Sequence, residues 1–322
     1  MIVSAPGLLG FMFKNPQMIK DNIPVIKERL KMGRTARKEL KKTLDLPVGL
    51  TQKDLDSVTE EDIKRATYEE KYLRPVRFSP VNHPEIVALA KKLGAFDESL
   101  PREEFAQNVF EFVKNNIKLG FGPMKDPTEM LKTGSGICVD QAVLAATLVK
   151  AGGVPAKCAI LDVSLADEMI DTFAQVEPGM GGAFGLIGGT WPHGSAYFYL
   201  NGRWMSADAV MSDGLQAALG NPLAEIGQDV VESGVSKRKA NIYSLSESLP
   251  RGMGGGGFLM GLLGKTLDDM NAHIDELEEI EGKVLKTAGR DGYMEQVKKR
   301  AGPTTPELPS MDEIREFRKK AK

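Results

Sequence analysis

Gly134-Ser135-Gly136-Ile137-Cys138-Val139-Asp140-Gln141-Ala142 is a glycine-rich turn that delivers a cysteine into a strongly apolar run. The run continues through Val143, Leu144, Ala146, Thr147 and Leu148 and stops at Gly152-Gly153. This pattern predicts a buried helix with a glycine stop and with Cys138 at its N-terminus. Unpaired N–H groups and the helix dipole at that end favour a thiolate over a thiol. A thiolate is a nucleophile, so Cys138 is the candidate nucleophile of a cysteine active site. Gly136 permits close approach of a ligand to the backbone and is a candidate for lining the substrate cleft.

A nucleophile of this kind needs a base, and the chain has three histidines. His83 precedes a proline in a loop-like stretch, and His273 lies in a charged C-terminal helix. His193 opens the segment His193-Gly-Ser-Ala-Tyr-Phe-Tyr-Leu-Asn-Gly-Arg-Trp-Met-Ser-Ala-Asp208. Ala196 to Leu200 favours a strand, Met205 to Asp208 a second, and Asn201-Gly202 between them is a strong hairpin signal. His193 and Asp208 then fall at the same end of the hairpin. There the carboxylate can hold one imidazole nitrogen while the other faces Cys138.

With these blocks in order, residues 105–210 resemble the transglutaminase-like superfamily. The blocks are Gly136-Ile-Cys138-Val-Asp140, His193, and Gly202-Arg-Trp204 leading to Asp208, with 15 residues from His193 to Asp208. Gly153-Val-Pro-Ala-Lys157 resembles the family's entry to a strand, and Phe112 to Ile117 the helix before the core. The resemblance implies an α+β, papain-like transglutaminase core in which a Cys-bearing helix packs on an antiparallel sheet, with helical N- and C-terminal extensions. It implies a catalytic triad of Cys138, His193 and Asp208 that performs thiol-dependent acyl chemistry on an amide or peptide bond through a thioester. Water as acceptor would make a cysteine peptidase or amidase, and an amine would make an acyltransferase. The substrate would be a peptide or protein. This chain departs from the family with Gly194-Ser195 after the histidine and with Leu119 where an aromatic residue often stands. The resemblance therefore carries over neither the acyl pocket nor an aromatic oxyanion donor. A chain that kept the fold as a non-catalytic interaction module or as a structural subunit of a larger assembly would let the triad decay, and here all three residues stand at family spacing.

The rest of the chain narrows the partners. A net charge of −2 gives no bulk attraction to nucleic acid. No apolar run of the length a bilayer requires is present, and the first residues lack a basic signal-peptide start, so the expected location is cytoplasmic with no transmembrane segment. Two cysteines and three scattered histidines predict neither a disulfide framework nor a zinc site, and no metal or other cofactor is expected. Cys158 reads as a small buried hydrophobe in a strand over 156–163. The expected domains are a helical extension over 1–79, the catalytic core over 80–245, and a glycine-rich hinge with a helical extension over 246–322. Residues 17–43 form a basic amphipathic helix in this reading, residues 51–74 are helical, and the glycine-rich segment 178–192 is either a surface insertion or a flap over the cleft. Trp191, in that segment, and Gly194 complete the candidate cleft residues. Leu267, Met270, Ile274, Leu277 and Val284 fall near a heptad pattern, so the terminal extensions are candidate contacts for an oligomer or assembly.

Overall fold

Two threonines start the first helices of the described chain. In the computed structural model, which describes residues 44–120, 122, 124–164, 190–248 and 264–300, Thr51 caps α1 (Gln52–Asp56) and Thr59 caps α2 (Glu60–Arg65). Each threonine hydroxyl accepts an N–H three residues on, and Asp54 or Asp62 reaches back to the threonine N–H, a reciprocal capping box. The stretch 51–74, expected to be helical with Thr59-Glu60-Glu61-Asp62 as a helix start, holds these two short helices, the second beginning behind that threonine. Residues 17–43, 178–189, 251–263 and 303–320, with the basic helix, most of the glycine-rich segment, the hinge and the terminal linker expected there, lie outside the described residues.

Helices α3 (Pro84–Lys92), α4 (Arg102–Asn116) and α5 (Pro127–Thr133) surround the cysteine-bearing helix α6 (Cys138–Ala151) on one side. On its other side α6 meets a sheet. Every residue from Val139 to Ala151 is buried, as an all-round apolar helix demands. Its polar members find partners: Gln141 donates to the Ile117 carbonyl (2.7 Å), Thr147 lies 2.8 Å from Ser79, and the Lys150 ammonium donates to the Glu247 carbonyl. Gly152 ends the helix, where a side chain would run into the Phe105 ring.

The sheet contains β3 (Ala156–Ser164), β4 (Thr190–Leu200), β5 (Arg203–Ala207) and β6 (Asn241–Ser246) in the order β5-β4-β3-β6, all antiparallel. Asn201 and Gly202 both take positive φ, 52° and 75°, the geometry of a tight two-residue hairpin. β4 begins at Thr190, well before the expected Ala196, because all nine residues of β3 find partners on it, from Ala156↔Phe198 to Ser164↔Thr190. The last three residues of the glycine-rich segment are thus strand. A short parallel ribbon pairs β1 (Lys118–Leu119) with β2 (Ser135–Gly136), just before Cys138. Helix α7 (Asp213–Ala218) and the long α8 (Gly264–Arg300) complete the described elements. Leu50 and Ala66 join the main core with α3, α4 and α6. Among the described residues no helix is long and apolar enough to cross a membrane.

Candidate active site

The turn that carries Cys138 is built by local rules. Asp126 caps α5, Gly134 ends it in the left-handed conformation (φ 69°), and two residues of β2 lead into α6. Asp140, at the third helical position, accepts the N–H of Ile137 at 3.3 Å, so its carboxylate satisfies a donor at the helix start. The same oxygen accepts the Lys125 N–H at 3.2 Å, while the Lys125 ammonium donates to the Ser135 carbonyl and hydroxyl at 2.8 and 3.1 Å. Asp140 is fully buried and its second oxygen has no hydrogen-bond partner among the described residues. Burial pushes its pKa up to about 7, against the two backbone N–H groups and the Lys125 charge that pull it down. This strut under the cysteine turn escapes a motif reading that looks only for nucleophile and base. The signal was present, an acid at the third position of a helix without a side-chain cap.

Cys138 is the first residue of α6 and is partly exposed. The thiol is among the groups close enough to His193 to raise its imidazole pKa. Nε2 of His193 lies 2.7 Å from Oδ2 of Asp208, which directly follows β5. With Nε2 committed to Asp208, Nδ1 is the nitrogen left for the thiol. Ala196 pairs with Ala207, so Asp208 stands across from Ser195, two residues along β4 from the histidine. Both His193 and Asp208 are about 5% exposed. Burial by itself would lower the imidazole pKa. The Asp208 charge and hydrogen bond, with the Cys138 contact, overcome it and push the value up to about 10.

Gly194 and Gly136 are buried in the supports of this arrangement. A Cβ on Gly194 would stand 2.5 Å from the Cα and 2.8 Å from the N of Val139, so β4 lies directly against the backbone beside Cys138. A Cβ on Gly136 would meet Met130 Sδ at 3.0 Å and Asp140 Cβ at 3.1 Å. Gly194 makes room for the Val139 backbone, and Gly136 for the Met130 and Asp140 side chains. A larger residue at position 194 would force the histidine strand off the cysteine helix. Trp191 pairs with Val163 in β4. Trp204, from the third block, lies away from the cysteine in a cluster with Tyr72 and Tyr199 (ring centroids 5.2 Å in each case) and under the Lys157 ammonium at 4.0 Å.

Residues 88–209 match the transglutaminase-like superfamily. That segment runs from α3 to just past Asp208 and contains Cys138 and His193, so the α+β, papain-like transglutaminase core is the fold of this part of the chain. A solved structure from Cytophaga hutchinsonii, described as a "putative cysteine protease", is 15% identical, with a TM-score of 0.32; the match covers 65% of this chain and 59% of that one. The chain therefore spans under two thirds of that protein's length. At that similarity the neighbour carries no argument about this site. No curated protein matches the chain.

Two expected results test the supports of the candidate site. Gly194→Ala should cost about 1–3 kcal/mol of stability, because a methyl group has no space against the Val139 backbone. It should also slow Cys138 alkylation by moving the imidazole away. Denaturant unfolding and mass mapping would read the two effects, and an unchanged midpoint would remove the close-packing role. Asp140 gives a pH test. Its folded pKa, about 7, lies above the ordinary 3.8, so the folded state holds an extra proton between those values. Stability is therefore expected to fall as pH rises from about 4 to about 7. Asp140→Asn should flatten that fall in urea midpoints taken across the window, whereas equal slopes for both proteins would refute the assignment.

Proposed function

We propose that this protein performs thiol-dependent acyl chemistry on an amide or peptide bond, with Cys138 as nucleophile, His193 as base and Asp208 as the group that orients it. The observation that carries the reading is the position of the His193 imidazole between the Asp208 carboxylate and the Cys138 thiol. Cys138 attacks the carbonyl carbon, and a thioester forms as the C–N bond breaks. His193 passes the thiol proton to the leaving amine. Asp208 fixes the imidazole tautomer and stabilises its positive charge. The Cys138 N–H, at the first position of α6, would donate to the oxyanion. Water then attacks the thioester to give peptidase or amidase activity, and a primary amine would give transfer. The match to the transglutaminase-like superfamily supports a protein or peptide amide as substrate, without choosing the acceptor.

Trapping is the direct test. The protein is incubated with a panel of peptide amides, quenched in acid and mapped by mass spectrometry. An acyl adduct on Cys138 that is absent from Cys138→Ala, and that disappears on further incubation in water, is the expected result. If no peptide leaves an adduct and none is turned over, the non-catalytic reading replaces this one.

A further inference from the structure

The turn before Cys138 is gripped from one neighbouring segment. Gly134 and Gly136 give the stretch 134–137 little conformational preference of its own, and Gly134 takes a positive φ of 69°. Its shape is therefore set by what holds its carbonyls. The Lys118 N–H donates to the Gly134 carbonyl and the Gly120 N–H to the Gly136 carbonyl, each at 2.9 Å. Between them the Lys125 ammonium donates to the Ser135 carbonyl at 2.8 Å and to the Ser135 hydroxyl at 3.1 Å. Successive carbonyls of the turn thus receive donors from Lys118, Gly120 and Lys125. The Thr133 hydroxyl adds a longer bond to the Ser135 carbonyl, at 3.2 Å.

Lys125 is the donor in this segment that uses its side chain, and it does so at a cost. It is only 8% exposed, and burial pushes the pKa of its ammonium down, against the charges of Asp140 and Glu129 that pull it up. A buried charge is tolerated only where hydrogen-bond partners replace its water. Here those partners belong to Ser135, three residues before Cys138. The backbone N–H of the same lysine donates to Oδ2 of Asp140, the oxygen that also accepts the Ile137 N–H. Lys125 therefore holds the nucleophile from both sides, the turn in front of it through Nζ and the first turn of α6 through N. The histidine strand is located separately, by the close approach of Gly194 to the Val139 backbone.

We propose that Lys125 is a positioning residue for Cys138: its ammonium, bound to both oxygens of Ser135, holds the turn so that the thiol stands against His193 and the Cys138 N–H faces the oxyanion. Lys125 acts through the turn alone. Its effect on turnover rests on the acyl chemistry proposed above, whereas its effect on the reactivity of the thiol does not.

The test uses the full chain and reads the iodoacetamide rate at Cys138 near pH 6 by peptide mapping. Lys125→Met keeps most of the stem and removes the ammonium. It should slow labelling roughly fivefold or more, but by less than about twofold in a His193→Ala background, because the effect passes through the placement of the thiol against the imidazole. A lysine that merely stabilised the fold, or acted on the sulfur only as a nearby charge, would give the same factor in both backgrounds. With an amide substrate, Lys125→Met should lower kcat on the order of a hundredfold, as a misplaced reacting atom does, and leave KM within about threefold. Lys125→Gln carries the same expectations and replaces Lys125→Met if that variant does not fold. A wild-type labelling rate, an equal factor in the two backgrounds, or an unchanged kcat overturns the role of Lys125 and leaves the acyl chemistry standing wherever amides are still turned over. A coupled loss of labelling in a protein that turns over no amide keeps Lys125 in this role and removes the acyl chemistry.

Discussion

Near pH 6, iodoacetamide is expected to modify Cys138 and to leave Cys158 intact over the same exposure. The two thiols differ in every respect that matters to alkylation. Cys158 lies within β3, is 3% exposed, and points its thiol at the Ala142 carbonyl, 3.7 Å away. Burial pushes its pKa up to about 12, with the Lys150 charge acting weakly the other way. Near pH 6 such a thiol is ionised to roughly one part in a million, and the thiolate is the reacting species. Cys138 is partly exposed at a helix N-terminus and touches an imidazole that stays protonated well above neutrality. The expected rate ratio is at least on the order of a thousandfold. His193→Ala should slow labelling by removing the cation. Asp208→Asn should change labelling less but lower turnover by a factor on the order of 10⁴, because it spoils the imidazole's tautomer and orientation. Equal labelling of the two cysteines, or labelling of Cys138 that ignores His193→Ala, would show that the pair does not act as a unit.

Removing the carboxylate behind His193 should have the largest effect on stability. Asp208→Ala leaves a buried imidazole without its charged partner, and breaking a buried pair in this way costs about 3–5 kcal/mol. The pH dependence separates this from simple loss of packing. The folded pKa of His193, about 10, lies above its ordinary 6.5, so the folded state holds the extra proton between these values. The stabilisation is fully present below about pH 6.5 and is lost as pH rises towards 10. In Asp208→Ala burial acts on the imidazole without that opposing charge, and the slope in this window should vanish or reverse. Urea midpoints at the two ends of the window would read it. A variant that keeps the wild-type slope would show that Asp208 does not hold the proton on His193.

How much of this could be read from the chain follows from the range of each interaction. The helix that begins at Cys138 and stops at Gly152 is legible because apolar periodicity and glycine stops act within a few residues. The Asn201-Gly202 turn is legible because its two positive φ angles select those residues, and it fixes which end of the hairpin carries His193 and Asp208. The order and spacing of these blocks were enough for the resemblance to the transglutaminase-like superfamily. Strand β6 was not legible. Asn241–Ser246 becomes a strand because β3, about eighty residues earlier in the chain, offers it an open edge. The early start of β4 likewise needed a nine-residue partner to be seen.

The sequence by itself determined the cysteine helix and the hairpin, since each depends on conformational preferences of neighbouring residues, while the family resemblance named the three residues expected to meet there. Only the tertiary structure decided what surrounds them. Gly194 matters because the Val139 backbone lies where its Cβ would be, and Asp140 because two chain segments converge on one buried oxygen. Ile274 is buried because a helix from the far end of the chain meets the apolar cluster against which Leu119 and Cys138 pack. Such contacts join residues tens to more than a hundred positions apart. They are selected by the burial of shared surface rather than by any local pattern, so a one-dimensional reading has no signal for them.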